Sequence, residues 1–256
     1  MFNKKMRVLW SALGLLLAAT YSAGAMADAA EFESEIKGYQ KTLEKGSFVS
    51  KKRAIGELEW LGISDERVYE PLEELILAEI MTADRKVAKQ VTYYIKGLSF
   101  SGNKRYHATL KKVVDEAENR HLIKHSLKAI ARLDNHILWN PVIAADLDKA
   151  AAGENDIWRV KNMLSSDMVE LQRVGVKRVY REFGSDPLLL ATVKELLLAG
   201  YKKSDKSRAH IDLMAWSCKV LGASGDTAFL EVLQEVADNA EHKKVKKHAI
   251  KAMRSL

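Results

Sequence analysis

Residues 101–133, SGNKRYHATLKKVVDEAENRHLIKHSLKAIARL, decide the fold, because they return as residues 224–256, SGDTAFLEVLQEVADNAEHKKVKKHAIKAMRSL. Laid over one another without a gap, the two stretches share 12 of 33 positions. Ser101-Gly102 falls on Ser224-Gly225, Leu110 on Leu233, and Ala117-Glu118 on Ala240-Glu241. Lys124-His125 falls on Lys247-His248, and Lys128-Ala129 on Lys251-Ala252. The apolar mismatches are conservative: Tyr106 with Phe229, Leu127 with Ile250, Ile130 with Met253. A shift of 123 residues is three times 41, and a period near 40 is that of a two-helix repeat unit.

Weaker copies surround this pair. Gly62-Ile63-Ser64-Asp65 precedes Leu72 much as Ala223-Ser224-Gly225-Asp226 precedes Leu233, and Gly184-Ser185-Asp186-Pro187 opens another unit. Each unit reads as a polar turn, an amphipathic helix, a short break and a second amphipathic helix. In the last copy Val245, Ala249, Ala252, Met253 and Leu256 share one face, with Lys243, Lys244, Lys247, Lys251 and Arg254 largely off it. No segment alternates between turn clusters, so no strand is expected. Asn140-Pro141 and Asp186-Pro187 read as helix starts, as does the capping-box spacing of Asp167 and Glu170. Pro71 would lie too deep in a helix capped at Ser64 or Asp65, which places that helix start near Tyr69.

In its second helices the chain resembles HEAT repeats, in the divergent group that includes the phycobilisome-lyase-type units. The resemblance rests on Lys51, Ala54, Leu58 and Leu61-Gly62, on Arg173, Val176 and Phe183-Gly184, and on Val220-Leu221-Gly222. It implies an all-α fold: a HEAT/armadillo-like α-solenoid of about five to six helical hairpins over residues 28–256. The columns of tetratricopeptide repeats do not recur at a period of 34. Residues 136–166 break the period. Trp139 to Ala152 reads as one helix ended by Gly153, and Asp156 to Leu164 as another, so an inserted or irregular helix is expected there.

The first 27 residues read as a cleavable secretory signal. Lys4, Lys5 and Arg7 precede an apolar run from Val8 to about Thr20, and Ala25-Met26-Ala27 supplies the small residues a signal peptidase needs. The run is shorter than a membrane span. Cleavage would leave Asp28 first, lower the net charge from +7 to +4, and direct the product to the bacterial periplasm or beyond. Cys218, the one cysteine, lies in an apolar run and reads as an inert buried thiol.

Few constellations carry chemistry. His121 and His125 stand four apart on a helix, but Leu122 occupies the glutamate position of a zinc-protease motif and no third ligand accompanies them. HEAT-like di-iron hydroxylases use His-Glu dipeptides, and this chain has none. HEAT-like bilin lyases act in the cytosol, which an export signal opposes, and the same signal opposes the HEAT-like DNA glycosylases. Trp60, Trp158 and Trp216 read as packing residues. No cofactor or catalytic residue is implied.

One pattern does point outward. Basic residues recur where second helices begin: Lys51-Lys52-Arg53, Arg85-Lys86, and Arg120 with Lys124. They recur again as Lys202-Lys203 with Lys206 and Arg208, and as Lys243-Lys244 with Lys246-Lys247. Cations are mildly disfavoured at a helix N-terminus, so doublets there call for a reason beyond solvation. In a solenoid such positions stack side by side and would form a basic ridge. The reading is a non-enzymatic exported scaffold that holds a protein or an anionic envelope component. A HEAT-like enzyme, such as a lyase or cofactor-attachment factor, and a nucleic-acid-binding protein are the alternatives.

Overall fold

The computed structural model describes residues 30–151 and 153–256, the side chain of Asp148 excepted. The expected signal at 1–27 lies outside the described residues, as does Ala152, the expected end of one helix. All regular structure among the described residues is helical. The first half holds α1 (30–45), α2 (Phe48–Leu61), α3 (Glu66–Ala78), α4 (Arg85–Leu98), α5 (Tyr106–Glu116) and α6 (Arg120–Ile143). The second holds α7 (Asn155–Ser165), α8 (Val169–Glu182), α9 (Pro187–Gly200), α10 (Arg208–Ala223), α11 (Leu230–Asn239) and α12 (Lys243–Met253). Consecutive helices form hairpins, and the hairpins stack, α2 on α4 on α6 and α8 on α10 on α12. The protein is an all-α solenoid.

Local sequence explains the helix starts. Ser47, Asp65, Asp84, Asn119, Asp186 and Ser207 each accept a backbone N–H of the helix they precede, satisfying donors that have no partner within the helix. Gly62 ends α2 at φ 68°, a left-handed conformation in which a β-carbon is strained. One apolar stripe per helix then builds the core. Leu110 and Leu233, the matched leucines of the repeat, are both fully buried, as are Val245 and Ala249. Cys218 is fully buried too, and burial pushes its thiol up to about 12, so it is inert as expected.

Three expected boundaries change. The helix placed near Tyr69 begins at Glu66, capped by Asp65, and carries Pro71 within it. Pro71 removes a single backbone hydrogen bond there and is itself buried, while Asp65 caps the first turn and Arg67 ties it to Glu33 at 2.8 Å. Asn140-Pro141 does not start a helix, and the stretch Trp139–Ala152 is not a separate one. Instead α6 runs for 24 residues through Pro141 and stops at Ile143, followed by a short 3₁₀ turn at Leu147–Lys149. Proline is tolerated because it lies in the last turn and Asn140 is spent on neighbours. Its Nδ2 donates to the carbonyl oxygens of Phe100 at 2.9 Å and Ile63 at 3.3 Å. The Asp167–Glu170 capping box is likewise not formed. Helix α8 starts at Val169 without a side-chain cap, and Gln172 bonds the carbonyls of Leu164 and Ser166 instead.

The long α6 changes how the solenoid continues. Its first half lies along α4, and its second half passes the ends of α4 and α2, where Ile143 closes on Gly62. Asn162 of α7 then donates to the carbonyls of Ile143 and Ala145 at 3.1 and 2.7 Å. The hairpin α7–α8 therefore packs against α1–α2. Buried Arg159 of α7 meets Glu35 of α1 at 2.7 Å, and Arg178 of α8 pairs with Glu57 of α2. The Arg178 guanidinium lies 4.0 Å over the Trp60 ring, and Trp60 meets Phe183 edge-on at 6.3 Å. These partners are 124, 121 and 123 positions apart, close to the repeat shift itself. Near-equivalent positions of the two halves thus face one another.

Candidate anion-binding groove

Each expected ridge residue has a defined place. Arg85 and Lys86 open α4, and Arg120 and Lys124 lie in the first turns of α6. Lys202 and Lys203 follow α9, Lys206 and Arg208 lead into α10, and Lys243, Lys244, Lys246 and Lys247 fill the start of α12. The junction of the halves separates the first four from the other eight, so two basic edges result. Lys51 belongs to neither. It is buried, and its ammonium donates to the carbonyls of Leu43 at 2.5 Å and Glu44 at 3.0 Å, closing the end of α1. Three of the eight on the second edge, Lys202, Lys244 and Lys246, have polar partners within the chain. Lys244 lies 3.6 Å from Asp212, Lys202 lies 3.2 Å from Glu235, and Lys246 donates to the Asp238 carbonyl at 2.6 Å.

The first edge opens into a groove of about 800 Å³ between α4 and α6. Its walls keep register. On α4, Arg85, Lys89, Thr92 and Lys96 follow one another at helical spacing; on α6, His121, His125, Lys128 and Arg132 do the same. Each α6 residue stands 36 positions after its α4 counterpart, so the two helices present matched rungs. The floor holds Ala88 and Tyr93. Tyr93 packs edge-on against Phe48 at 5.7 Å, and Lys52 of α2 lies 5.0 Å over its ring.

Positive charge dominates this face. Glu59 of α2 lies 3.8 Å from Lys96 at one end, and among the described residues Arg85, Lys89 and Lys128 form no ion pair. Arg132 is half-buried, donates to Ser99 Oγ at 3.2 Å and lies 5.6 Å over the Phe100 ring. Burial holds its guanidinium below the ordinary value, with Glu59 opposing. Burial and the charges of Lys128, His121 and Lys124 hold His125 below the usual histidine range. Among the described residues no three His, Cys, Asp or Glu side chains converge as a metal site.

Arg85 stands in sequence as a ridge residue, and His121 and His125 stand only as a rejected metal pair; Lys89, Lys96, Lys128 and Arg132 carry no such signal, because they sit mid-helix rather than in the first turn. The constant offset of 36 between the two helices is the signal that would have found them.

No protein-family model matches the chain, and no curated protein matches it. Among solved structures, a designed armadillo repeat protein in complex with a (KR)4 peptide aligns over 86% of this chain and 99% of its own. The identity is 16% and the TM-score 0.25.

Proposed function

We propose that this chain is a non-enzymatic, HEAT-like binding scaffold, exported by its N-terminal signal to the periplasm. There it holds an acidic protein or an anionic envelope component in the α4–α6 groove. The observation that carries this reading is the set of five cations, Arg85, Lys89, Lys96, Lys128 and Arg132, that line one groove, with Glu59 near Lys96 at one end. A field of one sign within a groove raises the local concentration of opposite charge, and it does so although the net charge is modest. Shape supports the same reading, because a cleft of this volume accommodates a peptide-sized ligand. Arg85, Lys86, Arg120 and Lys124 form the rim that steers the ligand in.

The test is capture of envelope components by the full chain and by a Lys89→Glu/Lys128→Glu variant, at low and high salt. Exposed charges are screened within about 8 Å at physiological ionic strength, so retention should fall as salt rises. The variant should lose the partner at both concentrations. A variant that retains it at unchanged affinity contradicts the assignment.

A further inference from the structure

The repeat shift of 123 carries the groove onto the second half of the chain. Arg85 corresponds to Arg208, Tyr93 to Trp216 and Lys96 to Lys219; on the facing helix His125 corresponds to His248 and Lys128 to Lys251. A depression of about 380 Å³, lined in part by Tyr180, Lys219, His248 and Lys251, overlaps one end of the matching place. One position is inverted: where α4 has Lys89, α10 has Asp212. The Asp212 carboxylate lies 3.5 Å from Lys177 of α8 and 3.6 Å from Lys244 of α12. Lys219 is folded onto the rings of Tyr180 and Trp216, at 4.0 and 4.3 Å. The second copy thus satisfies Lys177, Lys219 and Lys244 from within the chain.

We propose that the α4–α6 groove is the open member of a duplicated pair, that Asp212 closes the other from within, and that the open groove takes an extended acidic segment of a partner protein. This deepens the reading above and rests on it. In the closed copy the carboxylate at the second rung is held by lysines of the flanking helices, Lys177, where the first half has Ala54, and Lys244. Lys244, one of those lysines, is the counterpart of His121 in the open groove. Geometry favours the same ligand. Arg85 to Lys96 spans roughly 16 Å at about 1.5 Å per residue. An extended chain advances about 3.3 Å per residue and points alternate side chains to one side, so five residues place three carboxylates along that length. The apolar floor of Ala88 and Tyr93 suits the backbone of such a segment better than a dense row of phosphates.

The experiment is fluorescence anisotropy with the full chain and a labelled eight-residue peptide of alternating Glu and Thr, beside its Gln–Thr counterpart and short-chain polyphosphate. Wild type should bind one Glu–Thr peptide per chain and the Gln–Thr peptide at least tenfold more weakly. Lys89→Asp, which places the acidic residue of the second copy at the matching rung, should weaken binding more than tenfold. Asp212→Lys should raise the stoichiometry to two, and Asp212→Asn should do so with lower affinity at the new site. Circular dichroism confirms the fold of each. Equal binding of both peptides, or an unchanged Lys89→Asp, overturns the acidic-segment assignment, and so does binding of polyphosphate in preference to the Glu–Thr peptide. A stoichiometry of one in both Asp212 variants overturns the closure by Asp212. If the peptide fails while the Lys89→Glu/Lys128→Glu variant still loses its envelope partner, the groove reading stands and this inference alone falls.

Discussion

His136 Nδ1 lies 2.9 Å from Asn140 Oδ1, and the Asn140 amide nitrogen donates to Ile63, Ser64 and Phe100, so the histidine is the donor of the pair. Its tautomer is thereby set, with the ring between Phe100 and Trp139 at 5.0 and 5.1 Å. The cluster sits where α6 crosses the ends of α4 and α2, so it ties α6 to both of them. Burial lowers the His136 pKa to about 4. In the unfolded chain the ordinary value is near 6.5. Between those values the unfolded state binds a proton that the folded state refuses, so the stability His136 contributes is present above about pH 6.5 and lost as pH falls toward 4. The loss is about 1.4 kcal/mol per pH unit within that window. Urea unfolding at pH 7.5, 6 and 5 should show this slope in wild type and a shallower one in His136→Gln. Equal slopes would remove His136 from the account.

The junction of the halves makes a second prediction. Arg178 is largely buried, with Glu57 and Glu182 as partners and Trp60 beneath it. Arg178→Ala strands those carboxylates and should cost about 1.5–3 kcal/mol. Arg178→Lys should recover little, because an ammonium neither stacks on the indole nor reaches two carboxylates as a fork. Thermal melts of both variants measure it, and full rescue by lysine would show that charge alone matters there.

Leu110 and Leu233 hold the same repeat position in the two halves and are both fully buried. Replacement of either by alanine should cost roughly 2–5 kcal/mol. Because the halves pack through α1–α2 and α7–α8, away from both leucines, the double variant should lose close to the sum. Chemical denaturation decides this, and a loss under about 0.5 kcal/mol at both positions would mean the register is wrong.

Export is tested at the N-terminus. The isolated protein should begin at Asp28 and fractionate with soluble periplasmic contents. N-terminal sequencing that finds Met1 on a membrane-bound chain would overturn it.

Much of the architecture was legible before any coordinates, because each hairpin buries one face and repeats its core columns, as Leu110 with Leu233 and Tyr106 with Phe229 illustrate. The misread boundaries share a cause. Asn140-Pro141 carries a strong local signal for a helix start, but Asn140 gains three tertiary hydrogen bonds by staying inside α6. Those partners lie 40 or more residues away, beyond the reach of local pattern. The route of α6, and with it the meeting of α7–α8 with α1–α2, depends on the same contacts. At the candidate site, first-turn lysines stand out in sequence by their clustering. The groove is instead made by residues spaced along α4 and α6, and their alignment appears only once the two helices lie side by side.

The central claim is that the α4–α6 groove, rather than the basic edge at α12, holds the anionic partner. The most direct measurement is a titration of that partner, isolated by capture from envelope extract, against two charge-reversal variants of equal net charge. One is Lys89→Glu/Lys128→Glu in the groove; the other is Lys243→Glu/Lys247→Glu on the outer edge. Both pairs are exposed, so each should leave stability nearly unchanged. The account predicts at least a tenfold loss of affinity for the groove variant and less than a threefold change for the edge variant. Equal losses, or a loss confined to Lys243 and Lys247, would contradict it.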